Sequence, residues 1–165
     1  MSSSTVERLT AAVLTVSDAC SRGERNDLSG PAVVEALTRK NIQVIATGIV
    51  SDDQREIESA IRRFASDANL VITTGGTGIA PRDVTPEATR AVCTRLLEGV
   101  PERMRSEGGK KTPMAALSRS VCGVCENSLV LNLPGSPAGA AESLAAVIDL
   151  LPHAVQLLRG HTRHD

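Results

Sequence analysis

Apolar residues in the first half of the chain form short continuous runs, the pattern of strands buried on both faces of a sheet. Such runs cover residues 11–16, 42–50 and 70–73. A helix reaching to about residue 40 is expected between the first two runs. Between the second and third runs, the apolar positions follow the spacing of one helix face: Ile57, Ala60, Ile61, Phe64 and Ala65.

Capping residues mark where the helices are expected to begin. Ser51 and Gln54 match a capping box ahead of the amphipathic segment. Thr85 is expected to cap the following helix, with Pro86 at its first position. The buried side of that helix is predicted to consist of Ala88, Ala91, Val92 and Leu96.

The second half of the chain is less regular. Residues 99–113 follow no clear period, because glycine and proline interrupt them. Residues 119–125 and 128–133 are typical of two strands joined by a tight turn. A long apolar helix is predicted over residues 137–159, with Ser136 as its cap.

This alternation of strands and helices predicts an α/β layer fold with a mostly parallel sheet and an antiparallel hairpin at one edge. The length of 165 residues fits one domain. We expect an ordered core over about residues 11–159, and residues 160–165 are expected to fray.

Composition narrows the classes of partner. The net charge is −1, and the chain has one Phe and no Tyr or Trp. Nucleic-acid binders usually carry a basic surface and, for single strands, aromatic faces for stacking, so no nucleic-acid partner is expected. No apolar run of about 18 residues and no signal core are visible, so we expect no membrane span and a cytoplasmic location.

Polar segments follow the strands where an open α/β sheet usually binds its ligands. The glycine loop, TGGTG at residues 74–78, could turn several backbone N–H groups toward a phosphate. An ordinary tight turn is the alternative. The glycine spacing matches neither the dinucleotide fingerprint nor the P-loop.

Charged residues near the strand ends suit phosphate chemistry. Asp52 and Asp83 could hold Mg²⁺ with substrate phosphates, and the fork of Arg82 could clamp phosphate oxygens. The alternatives are a helix cap for Asp52, a turn residue for Asp83 and a surface position for Arg82.

Cys122 and Cys125 have a suggestive spacing, but they lie in a predicted strand, where their side chains point to opposite faces. No second ligand pair with zinc-site spacing is present. We therefore expect reduced thiols and neither a metal nor a redox site.

Four blocks of the sequence, in order and at matching spacing, resemble the MogA/MoaB-type molybdopterin adenylyltransferases and the G domains of gephyrin and Cnx proteins. The blocks are VLTVSDACSRGERNDLSG at residues 13–30, TTGGTGIAPRDVTPEAT at 73–89, LSRSVCGV at 117–124 and LVLNLPGSP at 129–137. The resemblance extends over about residues 11–159 and implies a three-layer α/β/α sandwich.

The resemblance also implies a reaction, in which ATP and molybdopterin give adenylyl-molybdopterin and pyrophosphate with Mg²⁺. The essential aspartates of the family fall on Asp52 and Asp83, as catalytic and metal-binding residues. The predicted substrate-binding residues come from the segments that match the family's pocket, with Arg82 added. They are Ser17, Asp18, Gly75, Gly76, Thr77, Gly78, Arg82, Ser118, Pro134, Gly135 and Ser136.

Two other functions are compatible with the same residues. One is a MoaB-like protein that binds or carries a pterin without catalysis, and the other is a hydrolase of nucleotide diphosphates related to CinA-type proteins. The intact segment Arg82–Glu87 favours the transferase. The resemblance further implies a homotrimer, or a hexamer in some members, and a separate molybdenum insertase as partner.

Overall fold

The structure, a computed structural model, describes residues 7–161, and it shows a six-stranded mixed sheet with helices on both faces. The predicted α/β/α architecture is therefore confirmed. The strands are β1 (Thr10–Val16), β2 (Gln43–Val50), β3 (Leu70–Thr74), β4 (Arg95–Leu96), β5 (Cys122–Cys125) and β6 (Ser128–Leu133). The helices are α1 (Asp18–Ser21), α2 (Ser29–Arg39), α3 (Gln54–Ala65), α4 (Thr85–Val92), α5 (Gly99–Gly109), α6 (Pro137–Val147) and α7 (Leu151–Leu158). Of the residues predicted to fray, 162–165 lie outside the described residues.

The strands lie in the order β2-β1-β3-β6-β5-β4. Strands β2, β1, β3 and β6 are parallel, and β5 runs antiparallel to β6, which confirms the predicted hairpin. The chain passes from β1 outward to β2 and then returns to the other side of β1 as β3. This reversal makes a crevice beyond the carboxyl ends of β1 and β3, the usual ligand position in an open α/β sheet.

Two apolar layers hold the helices against the sheet. Helices α2, α5, α6 and α7 pack on one face, and α3 and α4 pack on the other. The predicted buried face of α3 is confirmed in full, including Phe64, the single aromatic residue of the chain. The remaining core consists mainly of aliphatic side chains, whose burial supplies the main favourable term in folding.

The capping box predicted from Ser51 and Gln54 is wrong. Asp53 occupies the N-cap of α3, and its carboxylate accepts the Glu56 N–H at 3.0 Å. The Ser51 hydroxyl instead contacts the Glu56 carboxylate. The helix therefore begins two residues later than the Ser51 capping box would start it.

The predicted cap of α4 is also wrong. Thr85 is the first residue of the helix rather than its cap, and Pro86 follows it. Ala88 and Val92 are buried as predicted, whereas Ala91 and Leu96 are exposed. Leu96 does not continue the helix, because the chain leaves α4 at Val92 and pairs with β5 as the short strand β4.

The irregular stretch 99–113 contains helix α5, followed by a 3-10 turn over Pro113–Leu117. The helix predicted over residues 137–159 is interrupted by a 3-10 turn at Ile148–Leu150. Pro152 lies in the first turn of α7, where its missing N–H costs no helical hydrogen bond.

The stretch Pro137–Leu158 is long and apolar enough, by length and composition, to cross a membrane. The apolar-run criterion did not indicate this. Its side chains at Ala140, Leu144, Leu151 and Val155 are buried in the core beneath the sheet. In the most apolar part of the stretch, 28% of the residues are buried.

A fully buried polar side chain, Asn132 of β6, joins three parts of the fold. Its amide nitrogen donates to the hydroxyls of Thr73 and Thr89, both at 2.9 Å. Its amide oxygen accepts the Val121 N–H at 3.1 Å. The side chain thus connects β3, α4 and the segment that leads into β5.

We expect Asn132→Leu to lower the free energy of unfolding by about 2–3 kcal/mol, because it leaves the buried Val121 N–H without its acceptor. Urea denaturation of the purified protein measures the change. Asn127→Leu, the same replacement at an exposed turn position, should change stability by less than about 0.5 kcal/mol. Equal effects of the two replacements would contradict the role assigned to Asn132.

Candidate active site

The glycine loop lies in the crevice between β1 and β3. Its first peptide continues the sheet, because the Gly75 N–H donates to the Leu133 carbonyl at 3.0 Å. The Thr74 hydroxyl donates to the Pro134 carbonyl at 2.6 Å, which joins the loop to the segment after β6. At Gly135 a Cβ would stand 3.3 Å from the Gly75 Cα, so the two loops approach each other closely.

Thr85, at the start of α4, donates hydrogen bonds to the carbonyls of the first two glycines of the loop. Its hydroxyl donates to the Gly75 carbonyl at 2.9 Å, and its backbone N–H donates to the Gly76 carbonyl at 3.2 Å. Thr85 is fully buried, so these bonds are shielded from water. The residue predicted as a helix cap therefore shapes the loop.

Arg119, just before β5, donates hydrogen bonds to the next two carbonyls of the loop. Its backbone N–H donates to the Thr77 carbonyl at 2.9 Å, and its Nε donates to the Gly78 carbonyl at 2.8 Å. All the carbonyls from Gly75 to Gly78 therefore have a donor from Thr85 or Arg119.

Unlike the carbonyls, most N–H groups of the glycines and of Thr77 in the loop have no hydrogen-bond partner among residues 7–161. Within residues 7–161, the N–H groups of Gly76, Thr77 and Gly78 have no hydrogen-bond acceptor. Gly75 and Gly76 have φ of 102° and 70°, and a Cβ at Gly75 would stand 2.2 Å from the Val16 carbonyl oxygen. Only glycine fits there, and consecutive N–H groups in such a turn form a concave site for an anion.

Asp18 and Asp52 hold the loops after β1 and β2 together. The Asp18 N–H donates to the Asp52 carboxylate at 2.9 Å, and the Asp52 N–H donates to the Asp18 carboxylate at 3.0 Å. Burial raises the pKa of Asp52 above its usual value, and the charges of Asp18 and Asp83 raise it further. A cation beside Asp52 would relieve this repulsion.

Asp83 lies in the turn after the glycine loop. Its carboxylate accepts the Ala80 N–H at 3.0 Å, as the turn alternative predicted. A Cβ at Gly78 would stand 2.8 Å from Asp83 Oδ2, and one at Gly76 would stand 3.2 Å from Asp52 Oδ1. Both carboxylates therefore lie against the same glycine loop.

Arg82 binds Asp18 rather than pointing into an open phosphate position. Its Nε and Nη2 donate to the two carboxylate oxygens at 3.0 and 2.9 Å. This guanidinium lowers the pKa of Asp18, with a further contribution from the Asp52 N–H. The pair joins the loop after β1 to the turn that carries Asp83.

The two serines of the other strand-end segments have local partners. Ser17 caps α1, and its hydroxyl accepts the Cys20 N–H at 3.2 Å. Ser136 caps α6 as predicted, and its hydroxyl accepts the Gly139 N–H at 3.1 Å.

A cavity of about 820 Å³ opens beside the glycine loop, within the range of small-molecule sites. Eight predicted site residues line it: Gly76, Thr77, Gly78, Asp83, Ser118, Pro134, Gly135 and Ser136. The remaining predicted residues lie outside its lining, namely Ser17, Asp18, Asp52, Gly75 and Arg82. Asp52 nevertheless reaches the back of the loop at Gly76.

The opposite wall of the cavity was not predicted. It is formed by α5, the 3-10 turn at Pro113–Leu117 and α6, and it mixes apolar and charged side chains. Representative members are Met104, Arg105, Lys111, Met114 and Glu142. These residues fall in and around the irregular stretch of the sequence, where no period or motif marked them.

The carboxylates fit a magnesium site. Mg²⁺ is usually held by one or two carboxylates, with water and substrate phosphates completing its coordination. Asp52 and Asp83 could supply two hard oxygen ligands beside the glycine loop. Within residues 7–161 no group of three or more potential ligand side chains is found, which is compatible with such a sparse site.

The cysteines are free and lie apart from the cavity. Cys122 and Cys125 belong to the apolar layers on opposite faces of the sheet, as the strand pattern predicted. Burial raises the pKa of Cys122 and of Cys93 to about 12, so both thiols stay protonated near neutral pH.

Comparison with known proteins identifies the family. A family model described as a probable molybdopterin binding domain matches residues 12–153. The chain is 41% identical to a molybdopterin adenylyltransferase of Helicobacter pylori (strain J99) over 153 residues, which cover 90% of this chain and 87% of that protein.

A longer relative and a solved structure agree with this match. The molybdenum cofactor synthesis protein cinnamon of Drosophila melanogaster is 41% identical over 157 residues, which are 93% of this chain but 26% of that protein. The crystal structure of the molybdopterin biosynthesis enzyme MoaB from Thermus thermophilus is 49% identical and superposes with a TM-score of 0.87, covering 92% of this chain and 97% of that one. This chain belongs to the molybdopterin-binding domain family of molybdenum cofactor biosynthesis.

Proposed function

We propose that this chain transfers the adenylyl group of ATP to molybdopterin, with Mg²⁺, and releases pyrophosphate. The observation that carries the proposal is the hydrogen bonding of the glycine loop. Its carbonyls are occupied, whereas the N–H groups of Gly76, Thr77 and Gly78 remain available beside the cavity. Such a loop favours phosphate. The adenylyltransferase named among the relatives supports the same reaction.

In this reaction the terminal phosphate of molybdopterin attacks the α-phosphorus of ATP. A new bond forms between that phosphate oxygen and the α-phosphorus, and the bond to the bridging oxygen breaks. Pyrophosphate leaves with the electron pair. No covalent enzyme intermediate is required, so positioning and charge stabilisation supply the catalysis.

Different residues of the site would bind the phosphate, neutralise its charge and contact the heterocycle. The glycine loop would hold a phosphate group through its N–H groups, and the Thr77 hydroxyl can add a further donor. Mg²⁺ held by Asp52 and Asp83 would neutralise phosphate charge. The apolar part of the opposite wall, with Met104 and Met114, offers a surface for a flat heterocycle.

Several finer features belong to this proposal. Arg82 could leave Asp18 and bind a phosphate, since its side chain is 66% exposed. A homotrimer, or a hexamer, and a separate insertase partner remain predictions from the family resemblance. A cytoplasmic location remains the prediction made from the sequence itself.

We expect purified protein to release pyrophosphate only when ATP, molybdopterin and Mg²⁺ are all present, and to form adenylyl-molybdopterin in equal amount. A coupled pyrophosphate assay and mass spectrometry of the product measure this. Binding of molybdopterin without release would support the carrier alternative instead. Release from a nucleotide alone would support the hydrolase.

We expect Asp83→Asn and Asp52→Asn each to lower turnover on the order of a hundredfold, because each removes a charge that stabilises the transition state. Asparagine keeps an oxygen for the N–H partners of both residues, at Ala80 and Asp18. Circular dichroism should therefore show an intact fold.

Asp53→Asn is the matched control for these two variants. It removes the same charge one residue away from Asp52, and asparagine caps a helix as well as aspartate does. Turnover of this variant should stay close to that of the unmodified protein. If Asp52→Asn and Asp83→Asn were as active as the unmodified protein, the catalytic assignment of both aspartates would be wrong.

Gly78→Ala tests the position of Asp83 without changing any charge. The new methyl group would stand 2.8 Å from the Asp83 carboxylate and should displace it, so we expect turnover to fall about tenfold. Gly109→Ala, where a Cβ meets nothing within 4 Å, is the control and should leave the rate unchanged. A normal rate for Gly78→Ala would show that the position of this carboxylate does not matter.

A further inference from the structure

We propose that Arg119 is a positioning residue, which fixes the direction of the peptide groups in the glycine loop so that their N–H groups face a bound phosphate. The nature of that phosphate rests on the proposed function. The arrangement of the loop rests on the contacts of Arg119 alone. Arg119 does not line the 820 Å³ cavity, so it would act through the loop and not on the substrate.

Arg119 holds the loop and the following turn at several points. Besides its bonds to Thr77 and Gly78, its Nη2 donates to the Asp83 carbonyl at 2.8 Å. One residue therefore fixes the backbone that presents the loop N–H groups and the backbone that carries the Asp83 carboxylate. The phosphate position and the carboxylate position are thereby tied to each other.

Glu87 on α4 holds the guanidinium in place. Its Oε1 accepts a hydrogen bond from Arg119 Nη1, and its Oε2 is buried without a hydrogen-bond partner in the described part of the chain. The Arg119 and Glu87 side chains are only 38% and 43% exposed. The ion pair thus anchors the fork from the side away from the loop.

The physical reason for such a residue follows from the glycines. Glycine peptides rotate easily, and a rotated peptide would present a carbonyl to the phosphate in place of an N–H. Among the described residues, the Gly78 carbonyl has Arg119 as its only donor, whereas the Gly75 and Gly76 carbonyls are held by Thr85. A bidentate or forked set of bonds is specific to arginine, because lysine presents a single point charge.

The test measures phosphate binding separately from catalysis. Binding of inorganic pyrophosphate, added together with Mg²⁺, to the whole chain is followed by calorimetry and by the amide resonances of Gly76, Thr77 and Gly78. In the unmodified protein these amides should shift on addition of pyrophosphate. In Arg119→Met the dissociation constant should rise by about tenfold to a hundredfold, and the amide shifts should be lost.

Three further variants separate positioning from stability. Arg119→Lys should recover only part of the affinity, and Glu87→Gln, which keeps the shape of its side chain, should weaken binding less than Arg119→Met does. Arg39→Met removes a more exposed ion pair, with Glu35 on α2, and should leave binding unchanged. These variants keep the comparison informative if Arg119→Met folds poorly.

The outcomes are distinct. A lower melting temperature of Arg119→Met with an unchanged dissociation constant would show a purely structural role and overturn the inference. Amides of Gly76 to Gly78 that ignore pyrophosphate in the unmodified protein would overturn it too. Arg119-dependent pyrophosphate binding without adenylyl-molybdopterin formation would support the positioning role while rejecting the proposed transferase.

Discussion

Hydrogen bonds from Thr85 and Arg119 to the glycine loop are the constraint on which the rest of the site depends. Between them these residues occupy every carbonyl from Gly75 to Gly78, which leaves the neighbouring N–H groups for a ligand. Thr85 belongs to α4 and Arg119 to the segment before β5, and both follow the loop in the chain. The orientation of the loop N–H groups therefore depends on the assembled fold, and the glycines alone would not produce it, since they permit many conformations.

The buried polar network extends this constraint into the core. Asn132 bonds to the Thr89 hydroxyl, and that hydroxyl donates to the Thr85 carbonyl at 2.9 Å. The same asparagine accepts the Val121 N–H, two residues after Arg119. One fully buried side chain in β6 is thus linked by hydrogen bonds to both segments that carry the donors. A buried network of this kind is costly when incomplete, and its complete pairing makes the site rigid.

Sequence patterns predicted features that depend on local periodicity, and they missed features that depend on distant contacts. The buried face over residues 57–65 was correct because helical spacing alone specifies it. At the start of that helix, the capping box predicted from Ser51 and Gln54 was wrong, because Asp53 occupies the N-cap position. The contact of Arg119 with the glycine loop could not be predicted, because it spans 41 residues to Gly78 and an isolated arginine carries no period.

The charges of the site support the proposed role of Mg²⁺. The charges of Asp18 and Asp83 both raise the pKa of Asp52, whereas the N–H groups of the neighbouring glycine loop have no acceptor among residues 7–161. Arg82 neutralises Asp18, and that pairing leaves Asp52 and Asp83 as the uncompensated carboxylates. A phosphate facing two carboxylates would be repelled, and a divalent cation between them turns this repulsion into attraction. The arrangement that would hinder simple anion binding is therefore the one that suits metal-assisted phosphate transfer.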